Sequence, residues 1–376
     1  MNQSGSRPVL IMAGGTGGHI FPALAVADAL RRRGVPVLWL GSKDKMETRI
    51  VPQHGYELFE LPIAGVRGTD LRTRLLAPFA LIRAVGRALG VMRRIRPRAV
   101  LGMGGFAAGP GGLAAAMLRI PLYIHEQNAI PGLTNRWLAR LATEVFEGFP
   151  QSFEALGFRR TVHYTGNPLR HELLTVAPAR ARLAEGRGAL RVFVVGGSLG
   201  ALKLNQTVPR ALALLPQEAR PQIWHQCGDR HLDLTRAEYA QAGVAARIDA
   251  FVTQMAEPYG WADLVVARAG ALTVAELAQC GLPAVLVPYP HAVDDHQTAN
   301  ARSLVARGAA VLIPDIELTP ERLAAVLFDL NRDRADLMRM SEASHGLSRP
   351  DAAEVIAATL AGGSHNLAVA LREVTL

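Results

Sequence analysis

The chain contains few cysteines, few aromatic residues and no unbroken apolar segment long enough to cross a membrane. Its 376 residues include two cysteines and 6% aromatic side chains. The cysteines, Cys227 and Cys280, form no CxxC motif, which argues against a disulfide scaffold and indicates a reducing compartment. The uncharged segment 99–118 holds six glycines and one proline, so no transmembrane helix is expected there.

Positive charge is in moderate excess. Lysine and arginine total 41 against 32 aspartate and glutamate residues, which gives a net charge of +9. Such an excess suits a nucleic acid, an anionic bilayer or a phosphorylated substrate. A nucleic-acid-binding protein would also need aromatic stacking platforms or a recognised binding motif, and the sequence shows neither, so no nucleic acid partner is expected.

Short apolar runs alternate with helical patterns along the chain, which predicts parallel βαβ units in an α/β protein. A length of 376 residues favours two domains. They are predicted at 1–167 and 168–346, and the last helix, within 347–376, is expected to pack back on the first domain ahead of a loose tail. Strands are predicted at 8–13, 35–40, 56–61, 98–102, 121–125, 143–147 and 161–165, then at 190–195, 221–226, 246–250, 263–267, 283–287 and 309–312.

Each half opens with a strand, a glycine turn and a helix, at 8–24 and at 190–205. The first turn of such a helix offers backbone N–H groups and the positive end of its dipole to a phosphate. We therefore expect two nucleotide-binding folds around a cleft, with an activated donor and an anionic acceptor. The first turn has Ile20 where GxGxxG requires glycine and lacks the GK[ST] of a P-loop, so neither NAD nor an ATPase-type phosphate grip is predicted.

Polar residues follow several predicted strands, where ligands of doubly wound sheets bind. His19 ends the first glycine turn and is either a base or a structural residue. Asn128 is either a sugar-binding amide or a turn residue, and Glu276 either holds ribose hydroxyls or lies on a solvated helix face. Asp294 and Asp295 are adjacent and lack the spacing of a DxD motif, so no metal is expected.

Seven segments between residue 8 and about residue 360 resemble the motifs of the MurG family, in the same order. They read GGTGGHIFPALAVA, GMGGFAAGPGG, HEQNAIPGLTNR, GNPLR, GGSLGA, RAGALTVAE and DDHQTANA. The resemblance implies a GT-B glycosyltransferase fold, with two Rossmann-like doubly wound domains facing a central cleft. It also implies an inverting enzyme without a cofactor. This enzyme moves N-acetylglucosamine from UDP-N-acetylglucosamine to the 4-hydroxyl of undecaprenyl-diphospho-N-acetylmuramoyl-pentapeptide, which converts lipid I to lipid II in peptidoglycan synthesis.

The resemblance also implies roles for residues at matching positions. His19 is expected to be the general base, with Glu126 as the alternative. Acceptor binding falls to Gly104, Gly105 and Phe106, where Phe106 replaces the tyrosine of many family members. The donor-binding residues implied are Thr16, Gly17, Gly18, Asn128, Arg170, Ser198, Val252, Ala271, Leu272, Thr273, Val274, Ala275, Glu276 and Gln297.

These donor-binding residues would contact different parts of the UDP-sugar. Arg170 and Ser198 would hold the diphosphate, and the backbone of Val252 would bind uracil. Glu276 would hold the ribose and Gln297 the sugar. A lipid-A-pathway transferase or a sugar epimerase would share such a donor half, but the HEQNAIPG segment argues against both.

Residues 67–98 carry nine arginines and one acidic residue, with Leu75, Leu76, Phe79 and Ile82 at helical spacing. This pattern fits either an amphipathic helix that faces the core or one that rests on an anionic bilayer. Because the implied acceptor has a polyprenyl tail, we expect membrane contact through these four residues and a peripheral location on the cytoplasmic face of the bacterial inner membrane. The expected partners are UDP-N-acetylglucosamine, lipid I and the anionic membrane surface, and proteins of cell-wall synthesis or division are further candidates.

Overall fold

The structure is a computed structural model that describes residues 7–62, 71–158, 161–185, 188–197 and 200–362, without the side chains of 71–77 and 155. The described chain divides into two compact units. Unit 1 takes in the described residues up to Arg170 and from Pro350 onwards, and unit 2 spans His171–Arg349. The predicted boundaries, after residues 167 and 346, lie three residues before the observed ones.

Unit 1 is built on a parallel sheet of seven strands among the described residues. In chain order the strands are β1 (Val9–Met12), β2 (Val37–Ser42), β3 (Glu57–Leu61), β4 (Ala99–Gly102), β5 (Leu122–Glu126), β6 (Glu144–Glu147) and β7 (Val162–Tyr164). They lie side by side in the order β3-β2-β1-β4-β5-β6-β7. The order reverses between β1 and β4, which makes the sheet doubly wound and places a binding crevice at the carboxyl ends of these strands.

The central strand β1 explains why the sheet is buried on both faces. Val9 and Ile11 belong to one hydrophobic cluster, whereas Leu10 and Met12 belong to the other. Successive side chains of a strand point to opposite faces, so the continuous apolar run of β1 requires a helical layer on each side.

Six helices of the described chain belong to unit 1. They are α1 (Gly17–Arg32), α2 (Met46–Gln53), α3 (Leu71–Ile95), α4 (Ala108–Met117), α5 (Leu133–Leu138) and α15 (Ala352–Gly362). The last helix, α15, packs against α1. The Glu354 carboxylate on α15 lies 2.7 Å from Arg32 and 3.0 Å from Arg33 at the end of α1.

Unit 2 repeats this architecture with six parallel strands in its described part. The strands are β8 (Arg191–Val195), β9 (Gln222–Gln226), β10 (Arg247–Asp249), β11 (Leu264–Ala267), β12 (Ala284–Leu286) and β13 (Ala310–Leu312), in the order β10-β9-β8-β11-β12-β13. The helices are α6 (His171–Leu174), α7 (Ala179–Ala184), α8 (Leu202–Ala213), α9 (Leu232–Ala242), α10 (Ala256–Trp261), α11 (Ala271–Gln279), α12 (His296–Val305), α13 (Pro320–Arg332) and α14 (Arg334–His345). The strand order thus equals that of unit 1 without an equivalent of β7.

The α/β class and the parallel βαβ units predicted from the sequence are confirmed. Every one of the 13 predicted strands is present, with ends no more than two residues from the predicted ones. Cys227 and Cys280 are both buried and form no disulfide.

Candidate active site

The first glycine loop connects β1 to α1 at the carboxyl edge of the unit 1 sheet. Thr16 precedes α1 in an extended conformation, and its carbonyl accepts hydrogen bonds from the N–H groups of His19 (3.1 Å) and Ile20 (3.2 Å). Gly17 and Gly18 are the first two residues of the helix. The first turn of α1 carries no acidic residue, so its dipole is not offset there.

A buried carboxylate on α2 supports this loop. One oxygen of Glu47 accepts the N–H of Gly15 and the other accepts the N–H of Ser42, each at 2.9 Å. A Cβ atom on Gly14 would overlap the Glu47 carboxylate, and the indole N–H of Trp39 donates to the Ala13 carbonyl at 2.8 Å. Sequence reasoning missed Glu47 because α2 comes about thirty residues after the loop and carries no motif.

The second glycine loop, after β4, lies directly against the first. Gly104 has φ +99°, and a Cβ atom there would lie 2.7 Å from Cε1 and Nδ1 of the His19 ring. Gly105 has φ +85°, and a Cβ atom there would collide with the carbonyl of Gly14. Both positions therefore require glycine for the close approach as well as for the backbone conformation. Phe106, the third predicted acceptor residue, is exposed.

Two histidines and a glutamine form a hydrogen-bonded chain beside these loops. Nδ1 of His19 lies 3.1 Å from Oε1 of Gln127, and Nε2 of Gln127 lies 3.1 Å from Nδ1 of His125. Nε2 of His125 lies 3.0 Å from the carbonyl of Gly166. Burial lowers the pKa of His125 to about 4, although the hydrogen bond to Gly166 and the nearby Glu126 carboxylate oppose this shift. His19 is partly exposed, whereas Gln127 and His125 are buried.

The carboxylate of Glu126 is almost fully buried at the end of β5 and holds the loop that follows. Oε1 accepts the backbone N–H and the side-chain amide of Asn128, at 2.9 and 3.2 Å. Oε2 accepts the N–H of Gly132 at 3.0 Å and the side-chain amide of Asn135 at 2.9 Å. Both oxygens are thus engaged by neutral donors, and the Asn128 amide predicted to bind sugar hydroxyls is turned towards Glu126.

Arg170 is the last residue of unit 1. Its guanidinium carbon lies 5.0 Å from the centre of the Phe21 ring, and Phe21 lies on α1 one turn after the first glycine loop. Stacking on an aromatic ring orients a guanidinium. The predicted anion-binding Arg170 therefore lies close to the N-terminus of α1.

Unit 2 has its own glycine loop after β8. Gly197 has φ +85°, and its carbonyl accepts the side-chain amide of Gln226 at 3.2 Å. A Cβ atom on Gly200 would overlap the carbonyl of Cys227 at the end of β9. Ser198, the predicted diphosphate ligand, lies outside the described residues.

The predicted ribose site lies on α11. Glu276 is the sixth residue of this helix and is nearly buried, and Oε2 of its carboxylate accepts the hydroxyl of Tyr259 at 3.0 Å. This burial rules out the alternative of a solvated helix face. The preceding donor-binding positions occupy the first five residues of α11, namely Ala271, Leu272, Thr273, Val274 and Ala275. Tyr259, which lies on α10, carried no signal in the sequence.

Two further predicted donor contacts follow other strands of unit 2. Val252 lies after β10 with its side chain buried, while the neighbouring Phe251 is exposed. Gln297 lies in the first turn of α12, and its Oε1 accepts the N–H of Tyr289 at 2.9 Å. This bond ties the start of α12 to the segment that follows β12.

Three helices of unit 1 adjoin one another, since α3 packs against α4 and α4 packs against α5. Each of them carries exposed apolar side chains. On α3, Phe79 is 71% exposed and Ile82 is 69% exposed. Met117 of α4 and Trp137 of α5 are 60% and 64% exposed, and the Arg140 guanidinium lies 5.0 Å from the Trp137 ring centre. The side chains of Leu75 and Leu76 lie outside the described residues.

The core-facing stripe of α3 consists of other residues, Ala84, Val85, Ala88 and Met92. The interpretation that Phe79 and Ile82 face the core is therefore wrong. Among the helices of the described residues, none is both long and apolar enough to span a bilayer.

Comparison with known proteins assigns both units to one family. Residues 9–147 match the glycosyltransferase family 28 N-terminal domain, and residues 191–356 match the glycosyltransferase family 28 C-terminal domain. Together these matches span well over half of the chain.

Relatives of one name match almost the whole chain. One is the UDP-N-acetylglucosamine–N-acetylmuramyl-(pentapeptide) pyrophosphoryl-undecaprenol N-acetylglucosamine transferase of Marinobacter nauticus. The two sequences are 53% identical over 354 residues, and the alignment covers 94% of this chain and 97% of the relative. This chain is 55% identical over 352 residues to the protein of the same name from Alkalilimnicola ehrlichii, with 94% and 98% covered.

A solved structure agrees with these relatives. The crystal structure of Acinetobacter baumannii MurG is 38% identical, covers 95% of this chain and 99% of that chain, and has a TM-score of 0.82. The predicted GT-B fold is therefore confirmed. The chain belongs to the MurG family, within glycosyltransferase family 28.

Proposed function

We propose that the chain transfers N-acetylglucosamine from UDP-N-acetylglucosamine to undecaprenyl-diphospho-N-acetylmuramoyl-pentapeptide, which converts lipid I to lipid II. The observation that carries this proposal is the 53% identity over 94% of the chain to a transferase of that name. The arrangement of His19 beside two glycine loops at one sheet edge supports it, since this is where ligands of doubly wound sheets bind.

The proposed reaction is a single inverting displacement. The muramoyl 4-hydroxyl oxygen forms a bond to the anomeric carbon of the donor, while the bond from that carbon to the diphosphate oxygen breaks and UDP leaves with the electron pair. The hydroxyl proton passes to His19, which is partly exposed and carries a ring nitrogen able to accept it. Glu126 is less suited to this role, because its oxygens already accept four hydrogen bonds and the group is buried.

Unit 2 is proposed to hold the donor. Glu276 would accept both ribose hydroxyls through a carboxylate that Tyr259 keeps in place. The backbone near Val252 would bind uracil, and the exposed Phe251 would cover its face. The glycine loop after β8 would hold the departing diphosphate at the N-terminus of α8 and stabilise its charge there. Arg170 of unit 1 stays a predicted diphosphate contact.

The test is release of UDP from UDP-N-acetylglucosamine by the purified chain, with and without a short-chain lipid I analogue. UDP-N-acetylgalactosamine and UDP-glucose serve as control donors. We expect release that depends on the analogue and on the N-acetylglucosamine donor, together with formation of the disaccharide product. UDP binding without acceptor-dependent release would contradict the proposed acceptor.

We also propose that the chain binds peripherally to the cytoplasmic face of the bacterial inner membrane through the exposed apolar residues of α3, α4 and α5. An acceptor that carries an undecaprenyl chain is held in a bilayer, and Phe79, Ile82 and Trp137 present the kind of apolar surface that enters the interface. The arginines of α3 would attract anionic lipids. Association with proteins of cell-wall synthesis or division stays a prediction.

Vesicle flotation tests this membrane contact. The double variant Phe79→Ser/Ile82→Ser should bind vesicles that contain anionic lipid at least about fivefold more weakly than the wild type. The matched control, Leu214→Ser/Leu234→Ser, removes two exposed leucines of unit 2 and should bind as the wild type does. Equal binding by all three proteins would exclude this surface as the contact.

A further inference from the structure

The hydrogen-bonded chain from Gly166 to His19 determines where its protons lie. It begins at the carbonyl of Gly166, which can only accept a hydrogen bond, so Nε2 of His125 must carry the proton. His125 is buried and neutral near pH 7, since burial lowers its pKa to about 4. Its other nitrogen, Nδ1, is therefore an unprotonated acceptor.

This acceptor in turn determines the orientation of the Gln127 amide. Only the amide nitrogen of Gln127 can donate to Nδ1 of His125, and it does so at 3.1 Å. The amide oxygen is thereby directed at Nδ1 of His19, also at 3.1 Å. An oxygen acceptor at this position requires a proton on Nδ1 of His19, so in the neutral ring the lone pair is on Nε2.

We propose that Gln127 and His125 are positioning residues that hold His19 in its Nδ1–H tautomer, with Nε2 as the nitrogen that accepts the acceptor hydroxyl proton. The tautomer follows from the described contacts alone, whereas its use in the reaction rests on the proposed transferase function. With the opposite amide orientation, Nε2 of His19 would carry the proton and the ring would offer no base at that nitrogen.

The surroundings of the chain favour the same arrangement. Gly104 lies so close to the His19 ring that a Cβ atom there would be 2.7 Å from Cε1 and Nδ1, so the backbone of the second glycine loop flanks the edge of the ring that faces Gln127. The backbone carbonyl of Gln127 accepts the side-chain amide of Asn167 at 3.0 Å, which fixes the residue that carries the bridging amide. The titratable groups that face His125 are the Glu126 carboxylate and His19 itself.

The first test measures the tautomers directly by long-range ¹H–¹⁵N correlation spectra of the full chain labelled on its histidines. Spectra of the His19→Asn and His125→Asn variants assign the two rings. At pH values above the low-pH decline of activity, we expect Nε2 of His19 to resonate as an unprotonated nitrogen. Nε2 of His125 should resonate as a protonated nitrogen. A protonated Nε2 on neutral His19 would overturn the proposal. This readout needs no turnover, so its failure is separate from failure of the transferase assay.

The second test compares two replacements of Gln127 in kinetics. Gln127→Met keeps the length of the side chain but offers no amide oxygen, so kcat should fall at least about tenfold with KM for UDP-N-acetylglucosamine within twofold. Gln127→Glu restores an oxygen opposite Nδ1 of His19. It should recover part of kcat, because its second oxygen faces the unprotonated Nδ1 of His125 and the hydrogen bond to that ring is lost. The low-pH decline of its pH–rate profile should move to higher pH, because the carboxylate stabilises the imidazolium of His19.

A purely structural role for Gln127 would give a different result. Both variants would then lose kcat equally, and neither would change the pH–rate profile. Melting temperatures of both variants, with UDP binding as a check of unit 2, distinguish this outcome from a folding defect.

Discussion

The two units carry glycine loops after equivalent strands, but side chains of opposite hydrogen-bonding character support these loops. In unit 1, the Glu47 carboxylate accepts the N–H of Gly15 at 2.9 Å. In unit 2, the Gln226 amide donates to the carbonyl of Gly197 at 3.2 Å. A carboxylate occupies a loop N–H and adds a negative charge, whereas a neutral amide that donates to a loop carbonyl occupies no N–H group itself and adds no charge.

This difference indicates different ligands for the two loops. The Glu47 carboxylate beside the β1–α1 loop opposes an anion at that loop, while the Arg170 guanidinium stacked on Phe21 offsets part of this effect, so we propose that the loop serves mainly to present His19 to a neutral hydroxyl. The β8–α8 loop keeps the favourable field of a helix N-terminus for a diphosphate. The sequence pattern treats the two turns as equivalent phosphate sites, and the supporting side chains separate them.

The largest expected effect is that of Gly105→Ala, and Gly197→Ala is its matched control, because both glycines have a φ of +85°. Gly105→Ala forces a Cβ atom into the Gly14 carbonyl, so the two loops must separate. We expect a loss of about 3 kcal/mol or more in stability and at least about a hundredfold in kcat. Gly197→Ala meets no atom within 4 Å and should cost only about 1–2 kcal/mol of backbone strain.

Thermal melting and steady-state kinetics measure both variants, with UDP affinity as a further readout. Gly105→Ala should keep UDP affinity close to that of the wild type, because the proposed donor site lies in unit 2. Equal losses in the two variants would mean that φ alone, and not the approach of the two loops, dictates glycine at residue 105.

Acid should destabilise both units through a buried histidine in each. Burial lowers the pKa of His125 to about 4 and that of His225 to about 3, against a usual value of 6.5. The unfolded chain takes up these protons first, so stability is complete above pH 6.5 and falls as the pH drops towards these values. At pH 5 each histidine should reduce the free energy of unfolding by about 2 kcal/mol relative to pH 8.

Melting curves between pH 8 and pH 5 test this assignment. His125→Asn should flatten the pH dependence of the transition that belongs to unit 1, and His225→Gln that of unit 2. His225 bonds to Tyr239 and Asn205 inside unit 2, so its replacement lowers stability at all pH values. The slope, rather than the absolute melting temperature, is therefore the deciding quantity. A slope that neither variant changes would assign acid sensitivity to other groups.

Exchanging the two supporting side chains tests the loop comparison directly. Glu47→Gln leaves one of the two buried N–H groups facing an amide nitrogen, which should cost about 1–3 kcal/mol of stability. UDP affinity should stay within twofold of the wild type. Gln226→Glu places a negative charge beside the unit 2 loop and should weaken UDP binding about tenfold. Calorimetric titration with UDP measures the dissociation constant of both variants. If Glu47→Gln lost more affinity than Gln226→Glu, the proposed roles of the two loops would be reversed.

Much of the fold could be predicted from the sequence because its signals are local. Continuous apolar runs such as β1 and glycine turns such as the one before Gly17 predict strands and helix starts without knowledge of partners. At positions that need a close backbone approach, such as Gly104, the sequence shows the glycine but does not show which residue it contacts. The position of His19 at the end of a glycine turn made it a candidate base, and the family resemblance chose that role for it and named Glu126 as the alternative. The sequence did not reveal what either side chain contacts.

The supporting residues escaped prediction because their contacts are distant in sequence. Glu47 reaches the first loop from α2, and Gln127 contacts a histidine 108 positions away. The direction of α3 was also misjudged in one interpretation, because an apolar stripe such as Phe79 and Ile82 has the same periodicity whether it faces a core or a membrane. Only the packing of the neighbouring helices distinguishes these two cases.

The smallest expected effect concerns the carboxylate proposed to hold the ribose. Tyr259→Phe removes the hydroxyl that donates to Glu276 at 3.0 Å, and Tyr239→Phe removes a buried hydroxyl of the same unit that lies 2.9 Å from His225. Each substitution removes a hydrogen bond worth about 1 kcal/mol, so the two variants should lose a similar amount of folding stability. Only Tyr259→Phe should raise Kd for UDP, by about fivefold, with kcat nearly unchanged.

A deoxyribose ligand then separates orientation of the carboxylate from a general weakening of unit 2. If Glu276 accepts the ribose hydroxyls, wild type should bind UDP more tightly than 2′-deoxy-UDP, and Tyr259→Phe should reduce that preference while Tyr239→Phe preserves it. A preference that Tyr259→Phe leaves intact would mean that Tyr259 fills space beside Glu276 without orienting it. Loss of the preference in both variants would instead indicate that the ribose site responds to the packing of the whole unit.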